Sequence, residues 1–404
     1  MRVKLPAVMA VNEKTRLCFI RQLIAPSRSV DCMAVRYTVD KDTGYILTGS
    51  DDQPLAYVFA KKPKSSTLAP NAPVLVVGSQ AFDATDVDLS DASWVSHPDR
   101  EGSPSDIKQL AVAARNSWRG AFNFVEEDLI NGIVGLRKPQ VGALHAIHAH
   151  WSISDETATI VMPTGTGKTE TMLSTLTSVC CERVLVVVPT DALRTQIAEK
   201  FETLGVLKVP GNSVLSVSSQ RPVVGTLRSR PKTIADTDTL FEKCNVVVTT
   251  SQLVAQCTIE VQERIAQLCS HLFIDEAHHV EAPTWKAFRA HFSGRRILQF
   301  TATPFREDGQ KIDGRLIYVY PLKRAQEEGY FRPIRFHRVS DFNASSGDRK
   351  IALAAMNELD ADESRKHIVM ARVNSVPRAG TIFELYKSLR RYEVVMIHSS
   401  MGPQ

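Results

Sequence analysis

The chain has 404 residues, of which 49 are Lys or Arg and 44 are Asp or Glu, so its formal net charge is 49 − 44 = +5. Hydrophobic residues make up 43% and charged residues 23%, proportions that exclude collagen-like, low-complexity and wholly disordered chains. At roughly 100–200 residues per domain, the length predicts two to four domains, each large enough for its own core. The weakly basic balance is compatible with a nucleic-acid partner but does not indicate one.

The sequence shows no sign of membrane insertion or secretion. No uninterrupted apolar run reaches the roughly 18 residues that a membrane span needs, and Pro6 and then polar residues interrupt the N-terminal apolar stretch. The seven cysteines form no C-x-x-C pair, and two of them, Cys180 and Cys181, are adjacent. This spacing favours buried free thiols over metal ligands or disulfides. It therefore favours a cytoplasmic location.

Residues 1–105 combine short β-type runs, at 32–39 and 73–77, with turn-rich stretches. They end in HPDREGSPSD, which predicts a linker followed by a helix N-cap at Ser105 or Asp106. We find no catalytic constellation in this segment. It is predicted to be an accessory α+β region with three roles left open: binding partner subunits, guiding nucleic acid, or shielding the core.

The remainder of the chain has the alternating pattern of an α/β protein. Residues 107–151 carry apolar residues at three-and-four spacing, which predicts helix. Short, almost wholly apolar runs follow, as in strands that are buried on both faces of a parallel sheet. These predicted strands are 158–162, 184–188, 245–249, 271–275 and 297–301. A second pattern predicts helices at 349–359 and 376–390 and strands at 368–373 and 393–398.

The segment TATIVMPTGTGKT predicts a triphosphate-binding loop between a strand and a helix. Gly165 and Gly167 allow the backbone to approach the phosphates without a Cβ clash. The helix presents its N-terminus, Lys168 is placed for the β- and γ-phosphates, and the Thr169 hydroxyl is placed for Mg²⁺. Met162 stands where the common G-x-x-x-x-G-K-[ST] pattern has Gly. The predicted ligands are ATP and Mg²⁺, and the predicted contacts in this loop are Thr164, Gly165, Thr166, Gly167, Lys168, Thr169 and Glu170.

HLFIDEAHH places two carboxylates, Asp275 and Glu276, at the carboxyl end of a buried apolar strand. In an open parallel sheet, that end faces the same crevice as the phosphate loop. Asp275 is predicted to hold Mg²⁺, directly or through water, and Glu276 to polarise the attacking water.

The chain resembles superfamily 2 helicases and translocases, with MPTGTGKT as motif I, DEAH (275–278) as motif II and TAT (301–303) as motif III. The stretches DEAHHVEAPTWKAF, FTATPFREDG and LIYVYPLKRAQEEGYF are similar to motor subunits of type I restriction enzymes and related DEAH-type DNA helicases. The resemblance is good over residues 130–340, looser over 367–400 and absent over 1–105. It implies a RecA-like parallel sheet in which His278, Thr301 and Thr303 couple the ATP pocket to the rest of the motor.

Three more segments resemble family motifs outside the catalytic pair. LRKPQVGAL looks like the upstream segment whose Gln, here Gln140, contacts adenine, while VVPTDALRTQ and VTTSQL look like motifs Ia and Ib. The last two imply nucleic-acid contacts by Thr190, Arg194, Thr249, Thr250 and Ser251. Hydroxyls at strand-to-helix turns are good phosphate ligands, but ordinary helix capping accounts for any one of them equally well.

The segment between Thr203 and Ala235 contains five basic residues and no acidic ones. It predicts either a patch that tracks a nucleic-acid strand or a solvated loop, because no aromatic residues are interleaved for base stacking. The five are Lys208, Arg221, Arg228, Arg230 and Lys232.

The resemblance also implies a second RecA-like lobe, which supplies arginines to the γ-phosphate from a late Q-x-x-G-R-x-x-R element. Here only Gln310 and the pair Gly314-Arg315 approach that pattern, with the wrong spacing. We therefore expect the N-terminal part of a longer motor that hydrolyses ATP weakly by itself. The expected domains are an accessory region (1–105), an ATP-binding lobe (106–325), and a linker with an incomplete second lobe (326–404).

The predicted function is an ATP-dependent helicase or translocase acting on DNA, with RNA left open and no membrane partner. One alternative is an ATP-gated nucleic-acid sensor or defence switch that unwinds nothing. Another is a non-catalytic scaffold.

Overall fold

The computed structural model describes residues 1–64, 68–69, 71–78, 85–101, 106–277, 283–304, 312–332, 334, 336–341, 344–361, 367–389, 392–398 and 401. It divides into two compact units, Met1–Arg332 and Pro333–Gln404. The described strands are β1 (Arg2–Leu5), β2 (Val8–Lys14), β3 (Cys18–Ala25), β4 (Arg28–Asp31), β5 (Met33–Val39), β6 (Asp42–Thr48), β7 (Pro54–Phe59), β8 (Val74–Val76), β9 (Asp86–Asp88), β10 (Ser93–Ser96), β11 (Ala158–Val161), β12 (Val184–Val188), β13 (Val224–Leu227), β14 (Val246–Thr250), β15 (His271–Ile274), β16 (Arg296–Thr301) and β17 (Arg315–Val319).

The described α-helices are α1 (Ile107–Ser117), α2 (Lys138–Trp151), α3 (Lys168–Ser178), α4 (Asp191–Thr203), α5 (Ile234–Phe241), α6 (Ser251–Ala255), α7 (Ile259–Leu268), α8 (Pro283–Ala290), α9 (Leu322–Glu327), α10 (Ala344–Asp360) and α11 (Val376–Leu389). Within the described ranges, none of these helices is both long and apolar enough to cross a membrane. Asp106 is the N-cap of α1, since its side chain accepts from the N–H of Lys108.

A nine-stranded sheet forms the centre of the first unit, in the order β17-β11-β16-β15-β12-β14-β13-β3-β2. The strands from β17 to β13 are parallel. β12 and β14, with sequences VLVVV and VVVTT, are buried along their whole length because helices cover both faces of the sheet. Each face has its own hydrophobic core, one including Leu144, Leu176 and Phe201 and the other including Phe241 and Ile265. The predicted α/β class with a large parallel sheet is confirmed.

The five strands predicted for this sheet form within one residue of their expected bounds, as β11, β12, β14, β15 and β16. Four further members, β2, β3, β13 and β17, were not predicted from the sequence pattern. The seven cysteines are free thiols, and all except the half-buried Cys180 are buried.

The N-terminal segment contributes strands to three sheets. β1, β4 and β9 form one small sheet and β5 to β8 with β10 form another, while β2 and β3 extend the nine-stranded sheet. β3 pairs antiparallel with β13, from Cys18 opposite Leu227 to Arg21 opposite Val224. The predicted β-type runs at 32–39 and 73–77 are strands β5 and β8. The domain boundaries expected at 105 and 325 stay predictions.

An ion pair between Arg21 of β3 and the buried Glu202 of α4 joins these two elements. Glu202 is 5% exposed, and its Oε2 lies 3.7 Å from Nη1 of Arg21. Burial raises the pKa of the Glu202 carboxyl to about 7, and the Arg21 guanidinium opposes that rise.

Replacing Glu202 with Gln is expected to become more favourable for stability, relative to wild type, as the pH rises. The folded pKa lies above the unfolded value of about 4.3, so the native state binds the extra proton at low pH and loses that advantage as pH rises through 7. Relative to wild type, the free energy of unfolding of Glu202→Gln should therefore rise by about 2–3 kcal/mol between pH 5 and pH 8. Urea denaturation at several pH values measures this difference, and a difference that does not change with pH would contradict it.

Three predicted elements differ from the structure. Residues 118–137, expected to be helical, instead form turns and isolated bridges such as Asp128–Ile133, because the turn at Asp128, which accepts from the N–H groups of Ile130 and Asn131, reverses the chain. The strands expected at 368–373 and 393–398 do not form. A strand needs a hydrogen-bonded neighbour, and the described part of Pro333–Gln404 supplies none, whereas the two helices expected there are present as α10 and α11.

Candidate active site

The phosphate loop connects the carboxyl end of β11 to the N-terminus of α3. Gly165 and Gly167 have φ of 85° and 97°, in the left-handed region that favours glycine. Gly167 is the N-cap of α3 and provides no side-chain acceptor, so the first N–H groups of α3 are available to an anionic ligand. The Thr166 side chain is fully buried, and its hydroxyl donates to the Pro163 carbonyl at 2.7 Å. The predicted order of strand, glycine-containing loop and helix is confirmed.

Two residues at the start of α2 brace this loop. Oε1 of Gln140 accepts from the N–H of Arg137 at 2.8 Å, and Nη1 of Arg137 donates to the Gly165 carbonyl at 2.9 Å. A Cβ added to Gly167 would lie 1.9 Å from Nε2 of Gln140, so glycine is required there for close packing as well as for its φ. The adenine contact assigned to Gln140 stays a prediction.

Lys168 and Glu276 form an ion pair at the centre of the site. Lys168 is 8% exposed, and its Nζ donates to Oε1 of Glu276 at 2.6 Å. Glu276 follows β15 with a φ of 49°, a conformation uncommon outside glycine and frequent at functional sites. A triphosphate that binds the loop must therefore compete with Glu276 for the Lys168 ammonium group.

Asp275 is buried between two strands, at 4% exposure, and its N–H donates to the Val187 carbonyl at 2.9 Å. Burial raises the pKa of the Asp275 carboxyl to about 6; Lys168 opposes the rise and Glu276 adds to it. A buried carboxylate of this kind gains from a cation beside it. Since the Thr169 hydroxyl lines the same cleft, the two oxygen groups fit the ligand preference of Mg²⁺.

The phosphate loop, Lys168 and the two carboxylates meet in one cleft of about 530 Å³. Glu170 also lines it and is paired with Lys200 of α4 at 3.1 Å. The predicted site residues that line the cleft are Gln140, Thr164, Gly165, Gly167, Lys168, Thr169, Glu170, Asp275 and Glu276. The structure therefore brings the loop and the carboxylate pair together, although about a hundred residues separate them in the chain.

The predicted coupling residues lie at the end of β16, which pairs with β11: Thr301 is its last residue and Thr303 follows it. The Thr301 hydroxyl donates to the Thr303 carbonyl at 2.8 Å, and the Thr301 carbonyl accepts from the N–H of Met162 at 2.9 Å. The start of the phosphate loop is thus hydrogen-bonded directly to this segment. His278, the fourth residue of the predicted DEAH motif, lies outside the described residues.

The residues predicted to contact nucleic acid lie at the same edge of the sheet. Thr190 and Thr250 are the N-caps of α4 and α6, and their side chains accept from backbone N–H groups. Thr249 is fully buried, while Arg194 is 5% exposed and its Nη1 lies 2.9 Å from Asp191. Ser251 is the first residue of α6. Helix capping is therefore present at both threonines, and nucleic-acid contact by these residues stays a prediction.

Other cleft residues were not found by motif analysis. Arg137 lies three residues before Gln140 in the segment LRKPQVGAL, but no sequence pattern predicts its contact with the Gly165 carbonyl. Its guanidinium also lies 5.5 Å from the ring centroid of Tyr330, nearly two hundred residues away. Glu127, Val134 and Gly135 form one wall of the cleft in the segment that the pattern predicted as helix.

A parallel sheet with a glycine-containing loop before α3 and a carboxylate pair after β15 defines the core of a P-loop NTPase. Residues 133–306 match the family model described as "Type III restriction enzyme, res subunit" (ResIII). This match covers less than half of the chain, and it confirms the predicted resemblance to superfamily 2 restriction motor subunits. No curated protein matches the chain.

Solved structures similar to the chain include two helicases and a restriction enzyme. The ATP-dependent type ISP restriction-modification enzyme LlaBIII bound to DNA is 18% identical (TM-score 0.31), with 48% of this chain and 16% of that chain covered. The Pyrococcus furiosus Hef helicase domain is 18% identical (TM-score 0.33), with coverage of 61% and 52%. The UvsW helicase from bacteriophage T4 is 16% identical (TM-score 0.28), with coverage of 42% and 53%. The chain therefore spans about half, or less, of each of these structures.

Proposed function

We propose that the chain is the ATP-binding part of a nucleic-acid-dependent motor of the helicase or translocase type. The observation that carries this proposal is the single cleft in which Lys168, Thr169, Asp275 and Glu276 meet. The family match over residues 133–306 supports the same class.

Each residue in the cleft has a proposed role in ATP hydrolysis. Lys168 and the first N–H groups of α3 bind the β- and γ-phosphates. Thr169 and Asp275 would hold Mg²⁺, which when bound neutralises developing charge on the phosphates. Glu276 accepts the proton of the attacking water, once the phosphates have drawn Lys168 away from it.

Nucleic acid is proposed to bind at the carboxyl edge, where Thr190 and Thr250 begin α4 and α6. Hydroxyls and N–H groups at such turns bind phosphates and carry no base specificity. Thr301 and Thr303 would transmit the state of the cleft, because the Thr301 carbonyl is bonded to the N–H of Met162. His278 is proposed as their partner on the basis of the DEAH motif alone.

We also propose that DNA is the preferred nucleic acid and that the protein is cytoplasmic. Buried free thiols support that location. Partner subunits are proposed to bind through residues 1–105.

Binding and hydrolysis assays test the proposed function. Titration with a fluorescent ATP analogue is expected to show saturable, Mg²⁺-dependent binding, and hydrolysis is expected to be faster with single-stranded DNA than without it. Absence of nucleotide binding would overturn the proposal. DNA-stimulated hydrolysis without strand displacement or translocation would favour the ATP-gated sensor instead.

A further inference from the structure

The carboxyl edge of the nine-stranded sheet continues beyond the strands that carry the helicase-like motifs. β13 pairs in parallel with β14, with Thr226 opposite Val248, so Arg228 is level with Thr250, one strand spacing of about 4.8 Å away. β3 and β2 follow, and their tight turn lies at the same edge, closed by the N–H of Thr15 donating to the Cys18 carbonyl at 3.0 Å. The N-terminal segment therefore extends this edge of the motor sheet.

Three exposed cations, Lys14, Arg16 and Arg228, form a surface at this end of the edge, which we call the hairpin edge. The ring of Phe19 lies near two of them, with Lys14 Nζ at 6.0 Å and the Arg228 guanidinium at 4.7 Å from its centroid. The N–H of Arg228 donates to the Leu17 carbonyl at 2.8 Å, which fixes β13 to the hairpin turn.

The hydroxyl of Ser229 strengthens this junction by donating to the Arg16 carbonyl at 3.0 Å. The backbones that carry the three cations are therefore held together by hydrogen bonds between segments more than two hundred residues apart. Such a surface is formed before any ligand binds.

The positive charge of the hairpin edge is not neutralised within the described part of the chain. None of its three cations has an ion-pair partner among the described residues, and the nearby Glu13 is paired with Lys243 at 3.0 Å. By contrast, Lys208 and Arg221 of the basic 203–235 segment donate to backbone carbonyls, including that of Ser216 for Lys208 and that of Ile24 for Arg221. The structure thus distinguishes the half-buried Lys208 and Arg221, which bond to the backbone, from the exposed Arg228 at the sheet edge.

We propose that the hairpin edge binds the phosphate backbone of the nucleic-acid strand, and so extends the binding surface from Thr190 and Thr250 onto the N-terminal segment. This inference rests on the proposed function. Unpaired cations in line with the two capped helix starts favour a continuous phosphodiester chain over a lipid surface. Because contacts to phosphates carry no base information, this binding is independent of sequence.

The test uses the full chain and compares two triple variants of equal charge change. Lys14→Ala/Arg16→Ala/Arg228→Ala removes the hairpin edge, whereas Lys41→Ala/Lys61→Ala/Lys62→Ala removes three exposed cations elsewhere. Fluorescence anisotropy with a labelled oligothymidylate is recorded from 50 to 200 mM salt. The hairpin-edge variant should bind about tenfold more weakly at 50 mM salt, and its log–log salt slope should be about 2 less steep than that of wild type.

The outcomes separate this inference from the proposed function. If the wild type binds the oligothymidylate and the two triple variants bind it with equal affinity, the hairpin-edge proposal is overturned and the proposed function is not. If the wild type does not bind it, both proposals are overturned. If the hairpin-edge variant loses binding to phosphatidylserine vesicles while its DNA binding is unchanged, the proposal is overturned in favour of a lipid partner. If the triple variant fails to fold, Arg16→Glu, a change in the exposed turn, takes its place and should weaken DNA binding more than Lys41→Glu does.

Discussion

Replacing Glu276 with Gln is expected to reduce ATP hydrolysis by about 10²–10⁴-fold, the range for loss of a general base. Nucleotide affinity should be unchanged or higher. Lys168 Nζ is bound to Oε1 of Glu276 at 2.6 Å, so removing the carboxylate charge frees the ammonium group for phosphates. The amide cannot accept the proton of the attacking water, whereas its size preserves the packing after β15.

Single-turnover hydrolysis and titration with a fluorescent ATP analogue measure the two effects of Glu276→Gln separately. Glu182→Gln is the matched control, because Glu182 is an exposed carboxylate that pairs with Arg115 at 3.7 Å, away from the cleft. Retained hydrolysis would remove Glu276 from the role of base. Loss of nucleotide binding would show instead that Glu276 positions the phosphate loop.

Replacing Lys168 with Ala is expected to weaken ATP binding by about 10–150-fold, since a hydrogen bond from a charged group contributes about 1.5–3 kcal/mol. It should also lower the free energy of unfolding by about 1–3 kcal/mol, because it leaves the carboxylates of Asp275 and Glu276 without their compensating cation. Lys168 opposes the raised pKa of Asp275, so this loss should be larger at pH 8 than at pH 5. Urea denaturation and nucleotide titration provide the two measurements.

The double variant Lys168→Ala/Glu276→Gln distinguishes electrostatic stabilisation from phosphate binding. It should recover most of the stability lost in Lys168→Ala, but none of the nucleotide affinity. Lys323→Ala, which removes an exposed lysine on α9, serves as the control for loss of a positive charge. Full recovery of nucleotide affinity in the double variant would show that Lys168 does not bind the phosphates.

The sequence alone was sufficient for the features that depend on contiguous residues. A strand, a glycine-containing loop and a helix N-terminus lie within a dozen residues of one another, so the pattern around Gly165 and Lys168 predicts its own local geometry. The strands β12 and β14 were equally predictable, since a β-branched apolar run buried on both faces has few other solutions. Parallel strands share one carboxyl edge, which is why the sequence alone predicts the cleft with Asp275 and Glu276.

Long-range pairing had no comparable signal and depended on the tertiary structure. The antiparallel pairing of β3 with β13 brings together residues about two hundred positions apart, and no motif in either strand identifies its partner. The same is true of Arg137 on the Gly165 carbonyl and of the Lys168–Glu276 ion pair, whose geometry depends on how whole elements pack. Apolar runs at 368–373 and 393–398 show the converse, because a strand forms only where a neighbour accepts its hydrogen bonds. Residue type and spacing thus predicted the chemistry proposed for the cleft, whereas chain packing placed the N-terminal hairpin on the nine-stranded sheet.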